Sequence, residues 1–319
     1  MNLDFFPIKL TNDRLVFLVK IASGWGEIAP LSMNKELYDR IVATLTQLKQ
    51  ELKPIDIFSL EQIPLFLTGF DCFVRYGVEQ ALLHDLANRR GQSLAQLLCK
   101  TNKPKHNLKI NALISRVSPQ AAGIMTDKLI GQGYTNIKIK VGSADIKEDI
   151  ERVQTVRQRA GNRISIHLDA NGAWQKNNVI HNLSLLSPFM IDYIEQPVKT
   201  LAELAWLNDR SPIPVAVDEA VTSLAELQMA IKLCCCNIFV IKPAFWGGIL
   251  PARAGLELAL SQGRSVVLTG TLEGAIGRWG VYELGRAYSL DRACGLTGFD
   301  YADAGLDYTS LGITAELWR

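Results

Sequence analysis

The sequence predicts an α/β protein in which a (β/α) barrel follows a smaller α+β domain. From about residue 108 onward, short apolar runs typical of buried strands alternate with stretches of helical periodicity. The runs start 23 to 29 residues apart, a spacing that indicates parallel strands joined by crossover helices. No glycine-rich turn follows the first run, as it would in an open doubly wound sheet, so a barrel is favoured.

Residues 1–105 are predicted to form the α+β domain, which is an ordinary domain size. Two apolar runs separated by a polar turn, Phe5–Leu10 and Leu15–Ile21, have the pattern of a hairpin. The polar segment around Pro104 is expected to be a linker. Helical stretches are predicted at Lys35–Leu52, Phe73–Asn88 and Ser93–Lys100.

Residues 106–299 are predicted to form the barrel. An eighth, weaker strand is expected near Cys294–Gly298, and the tail, residues 300–319, is expected to return to the first domain. The seven strand-like runs are Leu108–Ile114, Asn136–Val141, Ser165–Ala170, Met190–Glu195, Val215–Glu219, Ile238–Lys242 and Ser265–Gly270. Helices are predicted between them, among others at Asp145–Arg159, Leu201–Asp209, Ser223–Leu233 and Ile249–Ser261.

The composition excludes several classes of function. The 319 residues include 34 Lys and Arg against 32 Asp and Glu, a formal net charge of +2. With no basic run, nothing supports binding to nucleic acid or to an anionic membrane surface. No apolar run reaches the roughly 18–20 residues of a membrane-spanning helix, and the first residues do not resemble a secretory signal. We therefore expect a cytoplasmic protein with reduced cysteines.

Five of the predicted strands end in charged side chains, which are unusual in buried parallel strands. Alternation along Asn136–Val141 puts Lys138 and Lys140 on one face and the apolar residues on the other, which meets the helices. The C-terminal ends of barrel strands carry the active site, so the charged groups are expected to converge there. The following strands end, in chain order, in Asp169, Glu195, Asp218 and Lys242.

Three carboxylates aimed at one point would repel each other unless a cation lay between them. We predict that Asp169, Glu195 and Asp218 bind a divalent ion, and all-oxygen ligation indicates Mg²⁺, with Mn²⁺ as the alternative. Glu219 could replace Asp218 as a ligand. Single acids at strand ends are more often helix caps or surface ion pairs, and paired lysines usually line a solvated edge, so the prediction depends on the whole set.

A lysine on each side of the ion would place a small-molecule carboxylate substrate between two amines. This arrangement indicates abstraction of the proton next to the carboxylate, with the ion stabilising the enediolate oxygens as they gain charge. His167 shares a strand face with Asp169 and is interpreted as a supporting or core residue instead of a ligand. No Gly-x-Ser-x-Gly, phosphate loop or His-Glu-x-x-His offers a competing site.

The motifs at these strand ends resemble those of the enolase superfamily, in the branch that uses two opposed lysines. The resemblance covers nearly the whole chain. It implies a modified (β/α)7β TIM-type barrel with an N-terminal α+β capping domain that closes over the site. The matching segments are Lys138–Lys140, Asp169–Trp174, Ile194–Pro197, Val217–Glu219 and Ile241–Pro243.

Within that branch the chain is most similar to the o-succinylbenzoate synthase family, through Gly24–Leu31 and Thr269–Glu273. The resemblance implies dehydration of 2-succinyl-6-hydroxy-2,4-cyclohexadiene-1-carboxylate to o-succinylbenzoate, a step of menaquinone and phylloquinone biosynthesis. Lys140 would take the proton alpha to the carboxylate and then help the hydroxyl leave, while Lys242 would stabilise the enediolate from the opposite face. Supporting or substrate-binding roles are implied for Lys138, Asn171, Thr269, Gly270 and Trp25.

Other activities use the same two lysines. N-succinylamino acid racemases and dipeptide epimerases move a proton across the alpha carbon, and muconate-type cycloisomerases are further relatives. Dipeptide epimerases commonly carry Asp-x-Asp near the last strand, whereas Asp300 and Asp303 are spaced one residue too far apart. A catalytically silent binding protein would be expected to lack a lysine or a carboxylate, and all are present. The chain also has Thr269-Gly270-Thr271 where the family often has serines, and His167 where some relatives have arginine.

Overall fold

The computed structural model describes residues 2–10, 13–52, 57, 59–100, 103–104 and 107–296. Its first part contains a three-stranded antiparallel sheet in the order β1 (Leu3–Lys9), β2 (Leu15–Ile21) and β3 (Gly24–Ile28). Strands β1 and β2 form the predicted hairpin, with Leu3 opposite Ile21.

Helices follow this sheet: α1 (Lys35–Glu51), a 3₁₀ helix (Leu60–Phe66), α2 (Cys72–Arg89) and α3 (Leu94–Leu98). Polar side chains start them by accepting backbone N–H groups that have no partner within the helix. Asn34 accepts from Leu37 at 2.8 Å, and Asp71 accepts from Phe73 at 2.9 Å. The three helices predicted here are confirmed, the third being shorter than predicted.

Helix α2 lies directly against strand β3. Gly26 faces Gly77 of the helix so closely that a Cβ on Gly26 would lie 1.8 Å from the Gly77 carbonyl oxygen. A Cβ on Gly77 would lie 2.5 Å from a side-chain carbon of Ile28. Backbones approach this closely only where neither carries a side chain, so sheet and helix pack as one unit.

Within residues 107–296, seven parallel strands and seven α-helices alternate. The strands pair in simple chain order, as they do in a barrel. The strands are β4 (Ala112–Ile114), β5 (Asn136–Lys140), β6 (Ser165–Asp169), β7 (Ile194–Glu195), β8 (Val215–Val217), β9 (Ile238–Ile241) and β10 (Ser265–Leu268). The helices are α4 (Pro119–Gly131), α5 (Ile146–Ala160), α6 (Val179–Leu186), α7 (Leu201–Asn208), α8 (Leu224–Lys232), α9 (Ile249–Ser261) and α10 (Ala275–Tyr288).

The sheet closes through two residues that follow α10. Cys294 forms a parallel bridge with Ile110 beside the first strand, and Gly295 forms one with Thr269 beside the last. The Cys294 N–H donates to the Lys109 carbonyl at 2.8 Å. These contacts confirm the predicted barrel and place its weak eighth strand, although the last residues predicted for that strand lie outside the described part of the chain.

Several strands are shorter than their apolar runs. Of the run Met190–Glu195, only the last two residues pair as a strand. Met190 has a left-handed backbone (φ 51°) at the end of a short 3₁₀ turn, a conformation that cannot continue into a strand. The strand predicted over Val215–Glu219 ends at Val217, which leaves the two acidic residues of that run in the loop that follows.

The barrel interior holds a small apolar core directly below the charged strand ends. Side chains two positions apart in a strand point to the same side. Glu195, Asp218 and Lys242 each follow a member of this core by two positions, so they face the same interior. The core consists of Tyr193, Ala216, Ile238, Val240 and Val267.

The two parts of the chain meet where β3, α2 and α3 pack against α10 and where α2 also packs against α9. The predicted boundary near residue 105 stays a prediction. So does the predicted return of residues 300–319, which lie outside the described part. Among the described helices, none combines the length and apolar character that crossing a membrane requires.

Candidate active site

The strand register aligns the charged side chains. Lys140 on β5 pairs with Asp169 on β6, and Asp169 pairs with Glu195 on β7, so the three share one row across the sheet. Lys138, two residues before Lys140, pairs with His167. Neighbouring residues in a parallel row point the same way, so all five side chains face the barrel interior.

The three predicted metal ligands meet at one point. One carboxylate oxygen from each of Asp169, Glu195 and Asp218 lies within 4.8 Å of the others. All three residues are buried, with 1–2% of their surface exposed. Three carboxylates this close in a buried site require positive charge nearby.

Lysines supply that charge from two sides of the cluster. Lys138 Nζ is 2.8 Å from an Asp169 oxygen and also donates to Glu195. Lys140 Nζ lies 2.7 Å from the same Asp169 oxygen. Lys242 on the far side, just beyond β9, lies 2.7 Å from an Asp218 oxygen. In strand order, the carboxylates are therefore flanked by Lys140 and Lys242.

Burial and these ion pairs shift the pKa values of the cluster in different directions. Burial alone would lower the pKa of Lys138, but Glu195, Asp169 and Asp218 raise it well above its usual value. Burial alone would raise the pKa of Asp169, but Lys138 and Lys140 lower it. Burial raises the pKa of Glu195 to about 7, against the opposing effect of Lys138. The carboxylate nearest to two lysines is thus the one held most firmly in its charged form.

The cluster fits a hard divalent cation. Glu195 Oε1 is buried and has no hydrogen-bond partner among the residues that the structure describes. His167 Nε2 is 3.9 Å from this oxygen, beyond hydrogen-bond distance. A buried polar atom without a partner is costly, and a cation would satisfy it. Because the donors are all carboxylate oxygens, Asp169, Glu195 and Asp218 could hold Mg²⁺ or Mn²⁺.

Asn171 and Glu219 connect the two flanking lysines around the rim of the cluster. The Asn171 side-chain oxygen accepts from Lys140 at 2.7 Å, and its amide donates to Glu219 at 2.7 Å. The same Glu219 oxygen is 3.6 Å from Lys242 Nζ. The Glu219 side chain is 40% exposed and the Asp218 side chain is 1% exposed. Of the two, only Asp218 belongs to the carboxylate cluster. This geometry favours Asp218 over Glu219 as the third ligand.

Gln196 supports Asp218, a contact that the sequence did not reveal. It is buried and has a left-handed backbone (φ 41°) directly after Glu195. Its side-chain oxygen accepts the backbone N–H of Asp218 at 2.9 Å, and its amide donates to the Val198 carbonyl at 2.8 Å. In the sequence, this role was indicated by a polar residue next to the predicted ligand Glu195, at the end of a buried strand.

His167 lies below the cluster, in the barrel interior. Its ring stacks on Tyr193, with the ring centroids 4.6 Å apart and the planes 10° apart, and its Nε2 is 3.3 Å from the Asn111 side chain. Burial and the charge of Lys138 lower its pKa to about 3, so the ring is neutral. These contacts agree with its interpretation as a supporting or core residue.

The contacts of the remaining predicted site residues are with groups outside the carboxylate cluster. The Thr269 hydroxyl donates to the Gly295 carbonyl at 2.9 Å, and the Gly270 N–H donates to the same carbonyl at 3.0 Å, so both take part in closing the barrel. Trp25 on β3 contacts its own sheet, with its ring 6.3 Å from that of Phe6 and 5.2 Å from Lys20 Nζ. Substrate contacts by these three residues stay predictions.

Comparison with known proteins agrees with this geometry. The profile of the family "Enolase C-terminal domain-like" matches residues 124–309, more than half of the chain. The chain belongs to the enolase superfamily. The fold expected from the motifs is thereby confirmed.

Relatives in this superfamily differ in their activity. The chain is 32% identical to an o-succinylbenzoate synthase of Thermobifida fusca over 59% of its own length and 58% of the relative. It is 34% identical to an N-succinyl-L-Arg/Lys racemase of Bacillus cereus over 45% of its length and 39% of the relative. The matches thus span well under two thirds of either relative.

A solved structure shows the same fold at low sequence identity. A dipeptide epimerase from Enterococcus faecalis, in complex with Mg and the dipeptide L-Leu-L-Tyr, superimposes with a TM-score of 0.80. The alignment covers 92% of this chain and 88% of that one, at 20% identity.

Proposed function

We propose that this protein is a metal-dependent dehydratase that converts 2-succinyl-6-hydroxy-2,4-cyclohexadiene-1-carboxylate to o-succinylbenzoate. The observation that carries the proposal is the placement of Lys140 and Lys242 on opposite sides of one carboxylate cluster, each 2.7 Å from a different acid. A substrate carboxylate bound at this cluster would have an amine on each side of its alpha carbon. The similarity to an o-succinylbenzoate synthase supports the choice of substrate.

A divalent ion held by Asp169, Glu195 and Asp218 would bind the substrate carboxylate and stabilise negative charge on its oxygens. Lys140 accepts the alpha proton, and the electron pair of the broken C–H bond is delocalised into the carboxylate as an enediolate. Lys242 on the opposite side keeps its proton and stabilises that charge. The electron pair then forms the new C=C bond as the hydroxyl leaves, taking the proton from Lys140 to form water.

The contacts of the two amines suit these different roles. Lys140 donates to the neutral amide oxygen of Asn171 as well as to Asp169. Lys242 has two acidic neighbours, Asp218 at 2.7 Å and Glu219 at 3.6 Å. Despite the opposing effect of burial, Asp218 and Glu219 raise the pKa of Lys242, which favours its staying protonated.

A racemase or epimerase that acts on N-succinylamino acids or dipeptides is the second candidate. The observation in its favour is that both flanking lysines are ion-paired to the cluster at the same distance, so either could exchange a proton with its face of the substrate. The similarity to an N-succinyl-L-Arg/Lys racemase supports it.

The experiment that separates the candidates assays one protein preparation for both reactions. Formation of o-succinylbenzoate is followed by absorbance, and loss of optical activity is followed for N-succinylarginine and for dipeptides. Each assay is repeated after exhaustive chelation and after addition of Mg²⁺ or Mn²⁺. We expect ion-dependent dehydration. Racemisation without dehydration would replace the first candidate by the second, and neither reaction would favour a silent binding protein.

A further inference from the structure

The strand-end loops next to the two flanking lysines are anchored in different parts of the molecule. The loop after β5, which follows Lys140, is held by the barrel's own helix α5. Asp149 accepts the Gly142 N–H at 2.7 Å, and Arg152 donates to the Lys140 carbonyl at 3.2 Å. The loop after β9, residues 242–248, starts with Lys242 and is contacted by helix α2 of the first part.

Three contacts attach α2 to that second loop and to the helix α9 that follows it. Phe73 packs edge-on against Phe245, with the ring centroids 5.7 Å apart. Glu79 accepts the Leu250 N–H at 3.0 Å, at the start of α9. Gly248, the last loop residue, lies so close that a Cβ there would be 2.4 Å from a Glu79 oxygen. Because Gly248 also has a φ of 153°, only glycine suits this position.

The loop is short and held by its own hydrogen bonds, so the contacts with α2 can also fix the position of Lys242. The N–H groups of Phe245 and Trp246 both donate to the Lys242 carbonyl, at 3.0 and 3.1 Å. The Lys242 ammonium lies 5.8 Å from the centre of the Phe245 ring, within cation–π distance. The ring that α2 touches therefore also faces the amine.

We propose that Phe73 and Glu79 are positioning residues for Lys242, so that helix α2 sets the placement of one of the two lysines and not of the other. The proposal deepens the proposed function and rests on it for its consequence in turnover. Contacts made outside the barrel would then determine how accurately the amine on one face of the substrate is placed. A misplacement of about 1 Å can cost about 100-fold in rate.

The test has a readout that needs no substrate. In protein labelled with ¹⁵N-lysine and free of metal, the ammonium signals of Lys140 and Lys242 are assigned by their loss in Lys140→Met and Lys242→Met. We expect Glu79→Leu and Phe73→Leu to shift or broaden the Lys242 signal while the Lys140 signal stays in place. Glu79→Gln, which keeps an acceptor oxygen for the Leu250 N–H, should restore the Lys242 signal.

Glu283→Leu is the matched control. Glu283 is also a buried carboxylate that joins the two parts, because it accepts the Ala95 N–H at 2.8 Å at the start of α3, but it does not contact the 242–248 loop. Its loss should leave the Lys242 signal unmoved. An unmoved Lys242 signal in both Glu79→Leu and Phe73→Leu would overturn the proposal, as would an equal shift in Glu283→Leu. If Glu79→Leu does not fold, Phe73→Leu decides alone.

Turnover then separates this proposal from the proposed function. With the substrate of the wild-type protein, Glu79→Leu and Phe73→Leu should lower kcat by about 100-fold with KM nearly unchanged. Glu79→Gln should return kcat to near the wild-type value. A wild-type protein without turnover would contradict the proposed function, while the lysine signals would still test whether α2 positions Lys242. Normal turnover and unmoved lysine signals in the Glu79→Leu and Phe73→Leu variants would contradict only the positioning of Lys242 by α2.

Discussion

Buried carboxylates occupy two regions of this molecule and have different partners in each. At the barrel mouth, Asp169 and Asp218 are paired with lysine ammonium groups. Between the first part and the barrel helices, Glu27 accepts the N–H groups of Gly274 and Gly277 at 2.6 and 2.8 Å, at the start of α10. Glu79 does the same at the start of α9.

The partners differ in how far they offset the effect of burial on the carboxylate pKa. Burial raises the pKa of Glu27 to about 7 and that of Glu79 to about 8, and their backbone hydrogen bonds oppose this only partly. At the mouth, Lys138 and Lys140 outweigh burial and lower the pKa of Asp169. A backbone amide stabilises a carboxylate without supplying a full charge. Asp169 is thus held as an anion, whereas Glu27 and Glu79 carry a proton near neutral pH, and so does Glu195 at the mouth, whose single lysine neighbour does not offset burial.

The largest effect expected is the loss of turnover in Lys140→Ala and in Lys242→Ala. Each should lower kcat by about 1,000-fold or more, because an acid–base or charge-stabilising group is removed from the reacting atoms. Calorimetric titration with Mg²⁺ and thermal unfolding should show an intact fold that still binds metal. Lys147→Ala, at an exposed position on α5, is the control. Near-normal dehydration by either active-site variant would contradict the two-lysine mechanism.

A smaller effect is expected on the pH dependence of stability, and it concerns the interface. The folded-state pKa of Glu27, about 7, lies above its usual 4.5, so the folded protein keeps a proton that the unfolded chain releases. The free energy of unfolding should therefore fall by about 3 kcal/mol as the pH rises from about 4.5 to about 7, and level off above that range. Glu27→Gln should lack this part of the decrease. Urea unfolding across the window measures it, and parallel wild-type and Glu27→Gln curves would refute the assignment.

The smallest effect expected is stabilisation by the metal. Mg²⁺ at 100 times its dissociation constant should raise the free energy of unfolding by about 2.7 kcal/mol relative to chelated protein. Asp218→Asn should lose this gain and Glu79→Gln should retain it, since only the first removes a carboxylate from the mouth. Equal gains in both variants would mean that the ion binds elsewhere.

The barrel and the grouping of its charged strand ends were predictable because each follows from local rules. Alternation places Lys138 and Lys140 on one face, and parallel strands bring their C-terminal ends to the same edge. The convergence of Asp169, Glu195 and Asp218 follows from the same rule, since each lies at or just beyond the end of a neighbouring parallel strand. The strand boundaries were less predictable, since an apolar residue such as Met190 can lie exposed in a turn.

Contacts between segments that are distant in the chain could not be predicted from the sequence. Glu79 reads as one polar residue in a predicted helix, and its partner Leu250 is 171 residues away. Gln196 and Glu27 are similar cases, because their partners depend on how the loops and the two parts of the chain pack. Trp25 is a different case: the resemblance implies a substrate contact, which stays a prediction, and the ring contacts of Trp25 are with Phe6 and Lys20 of its own sheet.

The backbone contact between Gly26 and Gly77 affects how saturation mutagenesis of this chain must be interpreted. Adding one methyl group at Gly26 would force β3 away from α2, so these glycines should score as intolerant as the two lysines that flank the cluster. Assays of abundance and of activity on the same library separate the two causes. Alanine at Gly26 should deplete the protein itself, whereas alanine at Lys140 should leave a full yield of inactive protein.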